Sequence, residues 1–228
     1  MNRSDLFPAD ADRGEAFRLL SGCFLLPDNG LGSRLKALEA HLERVCRGAA
    51  PHVARMSAHL ENGGDLGALQ VEFSRLFVGP FGTPAPPYGS VYLDGDKSFM
   101  GESALDVRQR YQEEGLGLST RFHETPDHIT AELEFVYFLT VKALEAAAQG
   151  DPDASGRYLE KRKRFLADHL DAWTPEFERL TTTNARVDFF TDLVRATRAL
   201  IRTDLAALSD SPPTPCGGQG QESPRRPS

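Results

Sequence analysis

Apolar residues recur at intervals of three and four along nearly the whole chain, and runs that alternate apolar with polar are almost absent. That spacing gathers apolar side chains on one face of a helix, whereas a half-buried strand needs a period of two. Phe17, Leu20 and Phe24 share a face in a first segment, which Pro27 closes. Leu31, Leu35, Leu38, Leu42 and Val45 define a second helix running to Gly48. Val53, Met56 and Leu60 mark a third, stopped by Asn62-Gly63-Gly64. Asp65 stands where an N-cap belongs, ahead of Leu66, Leu69, Phe73, Leu76 and Phe77, and Gly79-Pro80 ends that helix. The pattern predicts an all-α, single-domain bundle of eight or nine helices with a Pro/Gly-rich central loop.

In the second half, helix resumes near Ser103 with Leu105, Arg108 and Tyr111 on one face, and stops at Gly115 or Gly117. Pro126 suits the first turn of the next helix, with Thr125 as its cap and an end near Gln149. Its apolar residues, from Ile129 and Leu133 to Val141 and Leu144, leave little polar surface and place it at the centre of the bundle. Ser155 to about Leu170 is amphipathic, and its run Lys161-Arg162-Lys163-Arg164 reads as a solvated basic face. Trp173, Pro175 and Phe177 mark a corner into a short helix ending near Leu180, and the last helix spans Ala185 to Leu208. Residues 1–208 are expected to form the helical domain, with a loop or hinge over 79–101. Residues 209–228, rich in Ser, Pro, Gly, Gln and charge, are expected as a disordered tail.

Composition narrows the function. The net charge is −7, with both signs interspersed, so no basic face is available for nucleic acid. Cys23, Cys46 and Cys216 are too scattered for a disulfide framework or a zinc site, which fits a reducing compartment, the cytoplasm. Leu20-Ser21-Gly22-Cys23 has the form of a lipoprotein box, but Asp5, Asp10, Asp12, Glu15 and Arg18 interrupt the run a signal peptide requires. Cys23 reads instead as a small core residue. No run approaches the ~18 apolar residues of a membrane span, so no stable membrane insertion is expected.

Chemistry concentrates in two stretches. Gly79 to Gly89 holds four prolines and three glycines, which forbid regular structure yet leave the loop few backbone states to lose. Ser90 to Asp94 then alternates enough for a very short strand or extended segment. The second stretch carries His123, Glu124, Asp127, His128, Glu132 and Glu134. On a helix beginning at Pro126, His128 and Glu132 share a face and could bind one ion, but a catalytic metal wants a third ligand. A helical metal-dependent hydrolase using His123, His128 and Glu132 stays as the alternative reading, with the third-ligand geometry unmet, and no metal site is assigned. In the plainer reading, Glu124 and Asp127 occupy the first helical turn and favour the macrodipole, while His128 bonds a neighbour.

Signatures of nucleophilic, dinucleotide, P-loop, zincin and EF-hand sites are absent, so no motif gives positive evidence for an enzyme, and no cofactor is assigned. Phe77, Phe81, Tyr88 and Tyr92 could instead offer rigid aromatic area beside the carboxylates of Glu124 and Asp127 and the imidazole of His128. Guanidinium pairs with carboxylate and stacks on aromatics, so a peptide with arginines beside an apolar segment would suit such a groove. Equally, these aromatics could pack the loop onto the bundle.

At these residues the sequence resembles the TorD/DmsD family of cytoplasmic chaperones for molybdenum-cofactor enzymes, with NarJ-type chaperones as more distant relatives. Glu72-Phe73-Ser74-Arg75-Leu76-Phe77-Val78-Gly79-Pro80 is similar to the family's E-[YF]-x-R-L-F-x-G-P stretch, and Pro86-Pro87-Tyr88-Gly89-Ser90-Val91-Tyr92 to its continuation. Met100-Gly101-Glu102-Ser103 resembles the glycine step that follows. Glu124-Thr125-Pro126-Asp127-His128 with Glu132-Leu133-Glu134-Phe135 resembles its E-P-x-D-H…E-L signature, with Thr125 intervening before the proline. Phe165 through His169-Leu170, Trp173 and Phe177 resembles its C-terminal corner. The resemblance implies a non-enzymatic, all-helical chaperone, monomeric or a domain-swapped dimer. Its partner would be an apo-molybdoenzyme, such as a DMSO or TMAO reductase, together with that enzyme's twin-arginine signal peptide. Tyr88, Gly101, Glu124, Asp127 and His128 match positions the family associates with signal-peptide binding, and Phe77 is placed with them as aromatic area.

Overall fold

Leucines at i, i+4, i+7 and i+11 bury one side of α2 (Leu31–Val45): Leu31, Leu35, Leu38 and Leu42 are all inaccessible. Each contributes about 1.5–3 kcal/mol of transfer free energy. The computed structural model of the chain describes residues 3–79, 82–95, 101–117 and 124–210, with side chains from residue 8 onward. Before α2 comes α1 (Arg3–Cys23), and after it α3 (Ala50–Glu61) and α4 (Leu66–Phe73). There follow α5 (Ser90–Leu93), α6 (Glu102–Glu113), α7 (Ile129–Ala148), α8 (Pro152–Phe165), α9 (Asp171–Asn184) and α10 (Asp188–Ser209). Among the described residues there is no strand, and the fold is all-α.

Eleven of the 20 residues of α7 are buried, on more than one side, which makes it the central helix the apolar pattern requires. It lies between α1 and α8, while α2 joins α1 to α3, and α10 closes the bundle against α3 and α9. Aromatic rings fill the middle: Phe77 meets Phe73, Phe190 and Phe177 at centroid distances of 5.3, 5.5 and 5.8 Å. Asp65 caps α4 as expected, its carboxylate accepting from the Gly67 N–H at 2.9 Å. Two π-helical turns, Ser74–Val78 and Leu166–Leu170, were not visible in the spacing.

Local readings fail where distant residues intervene. Ser90–Leu93 is one helical turn rather than an extended segment, because the Asp127 carboxylate accepts the Ser90 N–H at 2.8 Å and caps it. In α6 the buried face is Ala104, Val107 and Tyr111, whereas Leu105 is 52% exposed and Arg108 faces solvent. The corner expected at Trp173-Pro175-Phe177 is absent: α8, the second π-turn and α9 run on from Pro152 to Asn184, burying Trp173 and Phe177.

The basic run on α8 is not uniformly solvated. Arg162 is wholly buried, donating through Nε to Asp204 at 2.8 Å and through Nη1 to Asp10 at 3.2 Å. Arg13 bonds Asp10 at 3.3 Å, so two arginines and two aspartates tie α1, α8 and α10 together. Cys23 is buried at the end of α1, where desolvation pushes its thiol up to about 12.

Candidate functional site

The two stretches singled out in the sequence meet at the head of α7. Thr125 to His128 forms a turn closed by the His128 N–H on the Thr125 carbonyl at 3.1 Å, with Pro126 at the position its fixed φ favours. α7 therefore starts at Ile129 instead of Pro126, and its cap is His128 rather than Thr125: the imidazole Nδ1 accepts the Thr130 N–H at 3.2 Å. Tyr111 of α6 donates its hydroxyl to the Pro126 carbonyl at 3.0 Å and fixes this turn from below.

The Pro-rich loop is stitched to the turn by its backbone. Gly89 N–H donates to the Asp127 carbonyl at 3.0 Å and Ile129 N–H to the Pro87 carbonyl at 2.9 Å, bracketing an isolated antiparallel bridge between Tyr88 and His128. Asp127 lies outside the first helical turn. Its buried carboxylate holds the Ser90 N–H through Oδ2 and the Thr125 hydroxyl through Oδ1 at 2.6 Å. The Tyr88 ring stands edge-on to the His128 imidazole at 5.0 Å, and its hydroxyl donates to Glu124. Burial raises the Tyr88 phenol above its ordinary pKa, and the Glu124 carboxylate acts in the same direction. Burial likewise depresses the His128 imidazole to about 4, against the pull of Glu124 and Asp127. His128 is thus neutral at pH 7.

Beneath the loop, Trp173 of α9 donates its indole N–H to Glu132 Oε2 at 2.9 Å. The carboxyl is wholly buried, which raises its pKa well above the ordinary range, as does the nearby Asp127, while the indole bond opposes the shift. Tyr92 stacks on the indole at 5.5 Å and 13°, with its hydroxyl on the Pro86 carbonyl at 2.8 Å. Glu132, suggested by its spacing as a metal ligand, is a partner of Trp173. Among the described residues no three His, Cys, Asp or Glu side chains are grouped to hold a metal ion, and His123 lies outside those residues. The hydrolase alternative gains no support.

Tyr88, Glu124, Asp127 and His128 are brought together, with Glu124 exposed and Tyr88 half-buried. Phe77 is not on this surface, being 2% exposed within the aromatic core. Gly101 precedes α6, where Asp94 bonds the Ser103 hydroxyl at 2.9 Å and lies close to its N–H at 3.3 Å. A Cβ on Gly101 would overlap the Asp94 carboxylate, so its glycine permits that cap. Phe81 lies outside the described residues. Sequence reasoning missed the Glu132–Trp173 pair, although an acid set among the apolar residues of the central helix was the signal.

Fold and site together define an all-helical protein with Tyr88 and Glu124 paired beside the start of its central helix. The chain belongs to the nitrate reductase delta subunit family, whose model matches residues 30–179, and the resemblance to TorD/DmsD and NarJ-type chaperones is borne out. It is 33% identical over 128 residues to a Tat proofreading chaperone DmsD of Salmonella typhi, covering 56% of this chain and 53% of that one. It is 26% identical over 217 residues to a chaperone protein TorD of Shewanella loihica, covering 90% and 96%. A perchlorate reductase assembly chaperone protein of Dechloromonas aromatica is 29% identical over 126 residues, covering 54% and 55%. In the first and third of these matches the chain spans about half the length of the curated relative. Among the described residues no helix is long and apolar enough to cross a membrane.

Proposed function

We propose that this protein is a cytoplasmic, non-enzymatic chaperone that binds the twin-arginine signal peptide and the apo form of a molybdopterin-dependent oxidoreductase. It holds the client until its cofactor is inserted and releases it for export. The names of the relatives support the chaperone role: one is a Tat proofreading chaperone and another assembles a reductase. The single observation that carries the peptide reading is the exposed Glu124 carboxylate paired with the Tyr88 hydroxyl on a backbone clamped to α7. A carboxylate beside a phenol ring offers a guanidinium both an ion pair and an aromatic face. Asp127 and His128 support that edge from within, and Gly101 keeps the neighbouring α6 cap in place.

Calorimetric titration with a twin-arginine signal peptide, and with the same peptide carrying alanine at both arginines, tests this. Tighter binding of the arginine form is expected. Equal affinity for the two, or no binding of either, would sink the specific form of the proposal.

A further inference from the structure

Glu132 is wholly buried, and its Oε1 has no hydrogen-bond partner among the described residues. An apolar side chain of similar volume would fill the same space without a desolvation penalty, so the carboxyl needs a reason in what it touches. It touches the loop. A Cβ built on Gly89 would stand 3.3 Å from Glu132 Oε1 and 3.2 Å from Trp173 Nε1, so the loop backbone rests directly on the carboxyl–indole pair. Gly89 is also tied to the Asp127 carbonyl, and Tyr92 lies flat on the indole. Tyr88, whose hydroxyl reaches Glu124, is the next residue back along the chain.

We propose that Glu132 is a positioning residue of the peptide surface, fixing the Trp173 indole beneath Gly89 and so setting Tyr88 against Glu124. This rests on the peptide-binding reading above. The groups facing the carboxyl are Asp127 at the head of α7, Tyr111 on α6 and the indole on α9. Burial raises the Glu132 pKa, and the proximity of Asp127 acts the same way. What the indole N–H uses is a side-chain oxygen acceptor at this reach, which glutamine also supplies.

The test compares full-length Glu132→Gln, Glu132→Leu and Trp173→Phe by amide hydrogen exchange over residues 86–93 and by titration with the arginine and alanine peptides. Glu132→Gln is expected to stay within about two-fold of wild type in both readouts. Glu132→Leu and Trp173→Phe are expected to speed exchange over 86–93 by about ten-fold or more, while α2 and α10 keep their protection. The same two variants should weaken the arginine peptide by about ten-fold. Unchanged exchange over 86–93 in both variants overturns the proposal, as does faster exchange with unchanged affinity. If wild type binds both peptides alike while exchange still responds, the peptide-binding reading falls and the seating of the loop stands. Trp173→Phe keeps a ring against Tyr92 and carries the test alone should Glu132→Leu fail to fold.

Discussion

Between α1, α8 and α10, Arg162 meets Asp10 and Asp204 inside the core, with Arg13 alongside. At the head of α7, Asp127 is buried as deeply but meets a backbone N–H and a hydroxyl, and Glu132 meets an indole; among the described residues neither pairs with a cation. The first site cancels its own charge, two positives against two negatives, and has nothing left to offer a partner. The second supports its carboxyl groups with dipoles alone, beside a surface acid, Glu124. Buried charge that is fully paired joins helices, whereas the acids held by neutral donors at the head of α7 shape a surface on which the Glu124 carboxylate stays exposed.

The contrast can be broken at its strongest point first. Arg162→Met leaves two buried aspartates without their central cation and is expected to lower the unfolding free energy by about 3–5 kcal/mol, read by urea denaturation. A loss under about 1 kcal/mol would mean that the cluster ties nothing together.

Next in size is the response of the α7 site to acid. His128 sits at about 4 in the folded chain against an ordinary value of 6.5. Between those values the unfolded chain takes up a proton that the folded one refuses, so the stability due to His128 is complete above pH 6.5 and is lost as pH falls toward 4. The loss amounts to roughly 3 kcal/mol. Replacing His128 by glutamine should flatten that part of the pH profile, and an unchanged slope would assign the titration elsewhere.

Smaller effects sharpen the comparison. Asp127→Ala should weaken binding of the arginine peptide by about 1–3 kcal/mol, since Ser90 and Thr125 lose their acceptor, with circular dichroism nearly unchanged. Global unfolding by this substitution would make Asp127 a structural cap and nothing more. Smallest is Gly101→Ala, which pushes Asp94 off the start of α6 and should cost about 1 kcal/mol, seen as faster exchange in α6 alone. Faster exchange throughout the bundle would contradict that local role.

How much of this was legible follows from where each partner lies in the chain. The leucines of α2 and the Asp65 cap of α4 were readable because cause and effect sit within a few residues. Arg162 was misread because its partners stand on α1 and α10, and no local rule separates it from the exposed Lys161 and Arg164 beside it. The turn at Ser90 escaped for the same reason, its cap coming from Asp127. In α6 an exposed Leu105 drew the predicted face one residue away from Ala104 and Val107. The site was half legible: its residues were named, but that Phe77 belongs to the core and Glu132 to Trp173 depends on packing between helices.

Trp173 is the one tryptophan in the chain. It lies at the joint where the loop, α7 and α9 meet, stacked on Tyr92 and bonded to Glu132. Ultraviolet emission excited beyond the tyrosine band therefore comes from that joint and nowhere else. A loop that lifts, a carboxyl that ionises or an indole that tilts each alters the colour or brightness of this single emitter. The protein thus carries an unlabelled optical reporter on the floor of the surface it is proposed to offer a signal peptide.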